Sequence, residues 1–257
     1  MFQLKTVEYQ ANLNISGQLS EIKQGIIPGL IISNTISKED CYKITDNFKT
    51  IAPDHSDEEI GYSSIGYGLT EFRSKKEGKE LYFECLTNSQ KKRNELFEHC
   101  NDPIYTILSV LGSWKTATVP QDPEFNQLYS FGVIESQNLG RRIHVDQIID
   151  NDNDPLELSI VLYLQTPDIG GELKLYQKLH ENSDGYNNLG DGFISESDFI
   201  DSNLSHVSIT QYNPVVGDLL IFANKWYHQV LPSYGTKKRI AHLTTAYERD
   251  KHIFVYV

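Results

Sequence analysis

His144-Val145-Asp146, followed far downstream by His228 and Arg239, supplies two imidazoles, one carboxylate and one guanidinium. Two imidazoles and a carboxylate hold Fe(II) by one face and leave coordination positions open for a co-substrate and O2. A guanidinium adds a permanent, fork-shaped cation that grips a carboxylate through two parallel hydrogen bonds. On a strand, residues two apart send their side chains to one face, so His144 and Asp146 suit two ligands of one metal. Alone, H-x-D is a weak signal in a chain with eight histidines. The surroundings of His228 add weight. Gly217-Asp218 reads as a turn entering the apolar strand Leu219-Leu220-Ile221-Phe222, whose end would deliver His228 to a barrel mouth. Val230-Leu231-Pro232 and Gly235 then turn the chain, and an antiparallel strand would carry Arg239 behind the metal. Lys237 and Lys238 are adjacent cations, but Arg239 leads directly into the apolar run.

The elements needed to position these groups are legible from about residue 127 onward. Tyr129–Glu135, Leu158–Leu164, Glu172–Tyr176, Val207–Ile209, Asp218–Phe222, Arg239–Tyr247 and Ile253–Val257 read as strands separated by turn residues. Upstream, residues 27–34 read as a buried strand. Ser37 is a helix N-cap with Asp40 three residues on. Two further helical stretches cover 77–88 and 90–112, and the polar stretch 53–76 reads as a loop. The expected fold is mainly β with N-terminal helices around a double-stranded β-helix (jelly-roll or cupin-like) core. One domain would span 1–257, with 1–126 a helical buttress and 127–257 the jelly-roll, carrying a polar insertion at 177–206.

Composition narrows the partners. The chain has 257 residues, 39% hydrophobic and 23% charged, with a net charge of −12. That acidity argues against nucleic acid and anionic membrane surfaces, which need a basic footprint. No apolar run approaches the ~20 residues that span a bilayer. The N-terminus lacks a signal-peptide core, and the three cysteines lack metal or framework spacing. These features imply a cytoplasmic protein with reduced thiols.

From His144 to about Tyr247 the chain resembles the Fe(II)/2-oxoglutarate-dependent oxygenases of the prolyl-4-hydroxylase-like branch. The resemblance implies Fe(II), 2-oxoglutarate as co-substrate and O2, with His144, Asp146 and His228 on the metal. It gives Arg239 the C5 carboxylate of 2-oxoglutarate, helped by the hydroxyl of Tyr163. Thr166–Tyr176, Gly217–Phe222 and Trp226-Tyr227-His228 are similar to freestanding carbon halogenases of alkaloid and amino-acid metabolism. Those enzymes replace the ligating carboxylate with Gly or Ala to admit chloride. This chain keeps Asp146, so the resemblance implies a hydroxylating cousin acting on a small molecule, such as an amino acid or an amine-bearing natural product. Arg73, in the polar loop, and Arg142, placed by alternation on the His144 face, are candidate substrate contacts. Alternation sends Arg141 away unless a turn intervenes. The acidic insertion reads either as a solvated loop or as a lid over a cationic substrate. Alternatives are a hydroxylase of protein side chains, a cupin-type metal-binding protein without 2-oxoglutarate chemistry, and a non-catalytic binding sandwich.

Overall fold

A computed structural model of the chain describes residues 2–59, 61–68, 72, 77–146, 157–180, 199–249 and 251–256. Among them, two facing sheets form a jelly-roll. The larger sheet takes β1 (Lys5–Glu8), β2 (Gly29–Ser33), β3 (His55–Asp57), β4 (Tyr62–Ile65), β5 (Thr116–Thr118), β8 (Val133–Gln137), β10 (Glu157–Gln165), β14 (Leu219–Ala223), β17 (Arg239–Arg249) and β18 (His252–Tyr256). The smaller sheet runs β13 (Ile209–Tyr212), β12 (Leu173–Leu179), β15 (Trp226–Val230), β9 (Arg141–His144). Two short ribbons, β6 (Gln121–Asp122) with β7 (Gln127–Leu128) and β11 (Ile169–Gly170) with β16 (Ser233–Tyr234), complete the strands.

The centre of the larger sheet is the order β14-β10-β17-β8, all antiparallel neighbours. β10 reads as a nearly unbroken apolar run because both its faces are covered. One faces the barrel interior; α2 (Lys38–Thr50) lies on the other through Cys41, Ile44 and Phe48. Ser37 caps α2 as expected, its hydroxyl accepting from the Asp40 amide at 3.0 Å. The Cys41 thiol lies 4.0 Å from the Tyr163 carbonyl, and burial pushes it up to about 12, an inert core thiol. All three cysteines are free.

The upstream half departs from its sequence reading in two places. Residues 53–76 are not simply loop: β3 and β4 form a hairpin that extends the larger sheet beyond β8. Gly61, with φ +64°, permits the turn before β4. The expected helices at 77–88 and 90–112 divide differently, into α3 (Gly78–Leu96) and α4 (Pro103–Gly112). The break falls at Asp102-Pro103, where the Asp102 carboxylate caps the Ile104 amide at 3.0 Å and Pro103 occupies the first turn. The remaining helix, α1 (Ser16–Lys23), packs beside β2.

Arg93 on α3 ties these helices to the jelly-roll. It pairs with Asp102 through two hydrogen bonds of 2.7 Å and donates to Nε2 of His242, on β17, at 3.2 Å. Gly132, with φ +139°, lies flat against the His242 ring, where any Cβ would collide. Burial first, and then the Arg93 charge, push His242 down to about 3, so it stays neutral in the fold. The unfolded chain takes up that proton below about pH 6.5. Stability from this group is therefore complete above pH 6.5 and is lost progressively as pH falls toward 3, at about 1.4 kcal/mol per pH unit. Melting curves from pH 7 to 4 should show this slope, flattened in His242→Leu. An equal slope in that variant would remove His242 as its source.

Candidate metal centre

The chain passes from the larger to the smaller sheet at Asn224-Lys225, between β14 and β15. His228 therefore sits inside a strand of its own rather than at the end of the preceding one, as the sequence reading had it. It pairs directly with His144 on β9. Residues paired directly across an antiparallel ladder point to the same face, and the two rings lie 4.1 Å apart between centroids. β9 ends at His144. Asp146 follows two residues on, its amide donating to the Asn224 carbonyl at 3.3 Å.

These three side chains converge: one ligand atom from each lies within 4.8 Å of the others. Asp146 Oδ1 stands 3.7 Å from His144 Nε2 and 3.6 Å from His228 Nε2. Each imidazole is fixed by its other nitrogen. His144 Nδ1 donates to the Arg142 carbonyl at 2.7 Å, and His228 Nδ1 to the Trp226 carbonyl at 2.9 Å. A carbonyl can only accept, so Nδ1 carries the proton and Nε2 offers its lone pair toward the gap. Burial, then His228, pushes His144 down to about 3, keeping it neutral as a ligand must be. Burial opposes ionisation of Asp146, yet the carboxyl is held below its usual range, by His228 and His144 when they carry a second proton and by the Ser159 hydroxyl. Ser159, on β10, donates to Oδ2. With Oδ2 engaged, Oδ1 alone faces the imidazoles, an arrangement suited to one-oxygen ligation. This donor set fits Fe(II), with one face left open.

Arg239 opens β17 in the opposite sheet and is 3% exposed, whereas Lys237 and Lys238 are exposed. Asp168 anchors the preceding turn, accepting from the Thr236 amide at 2.8 Å and the Lys237 amide at 3.2 Å. The Arg239 guanidinium lies 5.4 Å over the Tyr163 ring. Burial pushes the Tyr163 phenol up, against that Arg239 charge. Arg239 Nε is buried without a hydrogen-bond partner among the described residues. A buried, under-satisfied guanidinium is the feature a dicarboxylate would complete, so the site also fits 2-oxoglutarate.

Two more charged residues join this group: Glu135, which the sequence did not single out, and Arg141, which alternation had sent away. Glu135, on β8 and 1% exposed, accepts from Arg141 at 2.7 Å, Gln137 at 3.2 Å and Arg239 at 3.4 Å. Arg141 reaches it because β9 is bulged: Arg142 and Ile143 stand opposite Gln229 alone, between the His144–His228 and Arg141–Val230 pairs. The extra residue reverses the alternation, so Arg141 shares the His144 face where simple parity chose Arg142. Gly140, with φ +71°, lies where a Cβ would strike the Leu231-Pro232 backbone, and feeds the chain into this bulge. Arg142 supplies its carbonyl to His144 and has an exposed side chain.

Arg73 lies outside the described residues, as do 181–198 of the insertion. The described flanks of the insertion both meet Tyr227, beside the His228 ligand. His180 Nδ1 bonds the phenol at 2.9 Å, and the Phe199 ring packs 4.7 Å from the Tyr227 ring.

Over residues 1–256 the sequence matches the family described as "Carrier-protein-independent halogenase WelO5". The chain belongs to this family. It is an Fe(II)- and 2-oxoglutarate-dependent enzyme that uses O2. No curated protein matches the sequence. Among solved structures, the WelO5-family fold is shared with a novel N-substituted L-amino acid dioxygenase from Burkholderia ambifaria AMMD (TM-score 0.58, 10% identity, 95% of this chain and 91% of that one). It is shared too with the non-heme alpha ketoglutarate dependent carbocyclase SnoK from nogalamycin biosynthesis (TM-score 0.56, 10% identity, 98% and 100%). The Burkholderia enzyme in complex with alpha-KG matches at TM-score 0.55 and 12% identity, over 95% and 91%. Among the described residues no helix is long and apolar enough to cross a membrane.

Proposed function

We propose that this enzyme hydroxylates an unactivated C–H bond of a small molecule, releasing succinate and CO2, and that it does not halogenate. The observation that carries this reading is Asp146 itself, with Oδ1 equidistant from two Nε2 atoms and Oδ2 held by Ser159. A halogenating relative needs that position empty for chloride; here a carboxylate fills it. Bound iron with 2-oxoglutarate and O2 supplies the oxidising power for the C–H bond. The protein supplies placement. His144 and His228 present neutral Nε2 lone pairs, Asp146 adds one negative oxygen, and Arg239 with Tyr163 anchors the far carboxylate of 2-oxoglutarate. The apolar wall includes Phe222, 5.0 Å from the His228 ring, and helps exclude water.

The substrate class proposed is an amino acid or amine-bearing natural product, covered by the acidic insertion acting as a lid. One assay tests the reaction class. Succinate release is screened against free amino acids and small amines in high chloride, and the product is weighed. Gain of one oxygen atom is expected; a product with the isotope pattern of chlorine would overturn the proposal.

A further inference from the structure

Glu135 is a carboxylate buried inside the barrel between two arginines, and those arginines hold it unequally. Arg141 makes a short bond of 2.7 Å to Oε2; Arg239 reaches Oε1 only at 3.4 Å and leaves its Nε unpaired. A buried carboxylate is costly unless cations and hydrogen bonds surround it, so Glu135 needs both partners while the pocket holds no other anion. Ala241 lies between Tyr163 and Glu135 in the ladder, so the two neighbours of Arg239 flank one small-residue gap. Arg141 is different. Its side chain is 43% exposed at the pocket mouth.

Charge counting then connects the two ends of the pocket. Arg141, Glu135 and Arg239 sum to one positive charge; the far carboxylate of 2-oxoglutarate on Arg239 brings the sum to zero. We propose that Glu135 is a shared counter-ion, holding Arg239 before 2-oxoglutarate binds and passing to Arg141 when the incoming carboxylate takes Arg239. Glu135 is thus an internal competitor of the co-substrate, and Arg141 acts on co-substrate affinity only through Glu135. It is a positioning device rather than a catalytic group. The inference rests on the assignment of Arg239 to 2-oxoglutarate.

The test is titration of anaerobic, Fe(II)-loaded protein with 2-oxoglutarate, followed by charge-transfer absorption and by the rise in melting temperature. Glu135→Gln removes the competitor: 2-oxoglutarate should bind about tenfold tighter, the ligand-free protein should melt lower, and the ligand-induced rise should grow. Arg141→Gln leaves Glu135 to Arg239 alone, and binding should weaken about tenfold. The double variant should bind as tightly as Glu135→Gln, because Arg141 has nothing left to act through. That double variant keeps the net charge of the group, so it also serves if the single Glu135→Gln does not fold. Weaker or unchanged binding in Glu135→Gln, or in the double variant, overturns the proposal. Arg239→Gln separates the two levels: if it binds 2-oxoglutarate normally, the parent assignment falls too, and if it does not, wrong signs at Glu135 and Arg141 count against the counter-ion alone.

Discussion

Asp146→Ala should abolish hydroxylation while the protein remains folded. The carboxylate is the only negative ligand of the proposed centre, with Oδ1 3.6–3.7 Å from both Nε2 atoms. Removal of even an outer partner of a metal ligand costs about 10–100-fold in metal affinity or activity; loss of the ligand itself should exceed that. Asp146→Asn keeps the volume and an oxygen but not the charge, and should fail as well. Ser159→Ala should fall in the outer-partner range, since it frees Oδ2 without removing Oδ1. Succinate and product are measured together in each case. Full hydroxylation by either Asp146 variant would refute the triad.

Arg239→Gln should raise the KM for 2-oxoglutarate by about 100-fold or more. Two charge-assisted hydrogen bonds, each worth about 1.5–3 kcal/mol, are lost with the fork. Arg239→Lys keeps the charge but not the geometry, and should lie between Gln and wild type. Arg239→Gln should also melt lower. Glu135 is buried, and removing one of its two arginines leaves its charge half-compensated, a loss of about 3 kcal/mol in a fully buried pair. Lys237 and Lys238 are exposed, so their substitution should leave the KM for 2-oxoglutarate unchanged. A normal KM in Arg239→Gln would move the co-substrate anchor elsewhere.

The part of this site that was legible in the sequence is the part carried by residue type. His144, Asp146 and His228 announce themselves by donor chemistry, and the structure brings one atom of each within 4.8 Å. The jelly-roll was legible because β10 and β14 are apolar runs, and β17 a longer mixed stretch, separated by turn residues. What escaped was geometry that depends on register. A bulge in β9, invisible in the order of residues, exchanges the roles of Arg141 and Arg142. Glu135 looked like the polar end of an apolar strand; only the pairing of β8 with both β17 and β4 buries it. The hairpin at β3 and β4 carried little apolar signal because β3 is the margin strand and only Ser64 and Ile65 of β4 are buried. The boundary between α3 and α4 had a local signal, the Asp102-Pro103 cap, that outranks continuing helical spacing.

The most direct measurement of the central claim is anaerobic titration of the iron-loaded protein with 2-oxoglutarate in the visible region. Chelation of Fe(II) by the keto acid produces a metal-to-ligand charge-transfer band. The site built from His144, Asp146, His228 and Arg239 predicts that the band appears in wild type and needs far more 2-oxoglutarate in Arg239→Gln. Absence of the band from folded, iron-loaded wild-type protein would contradict the account.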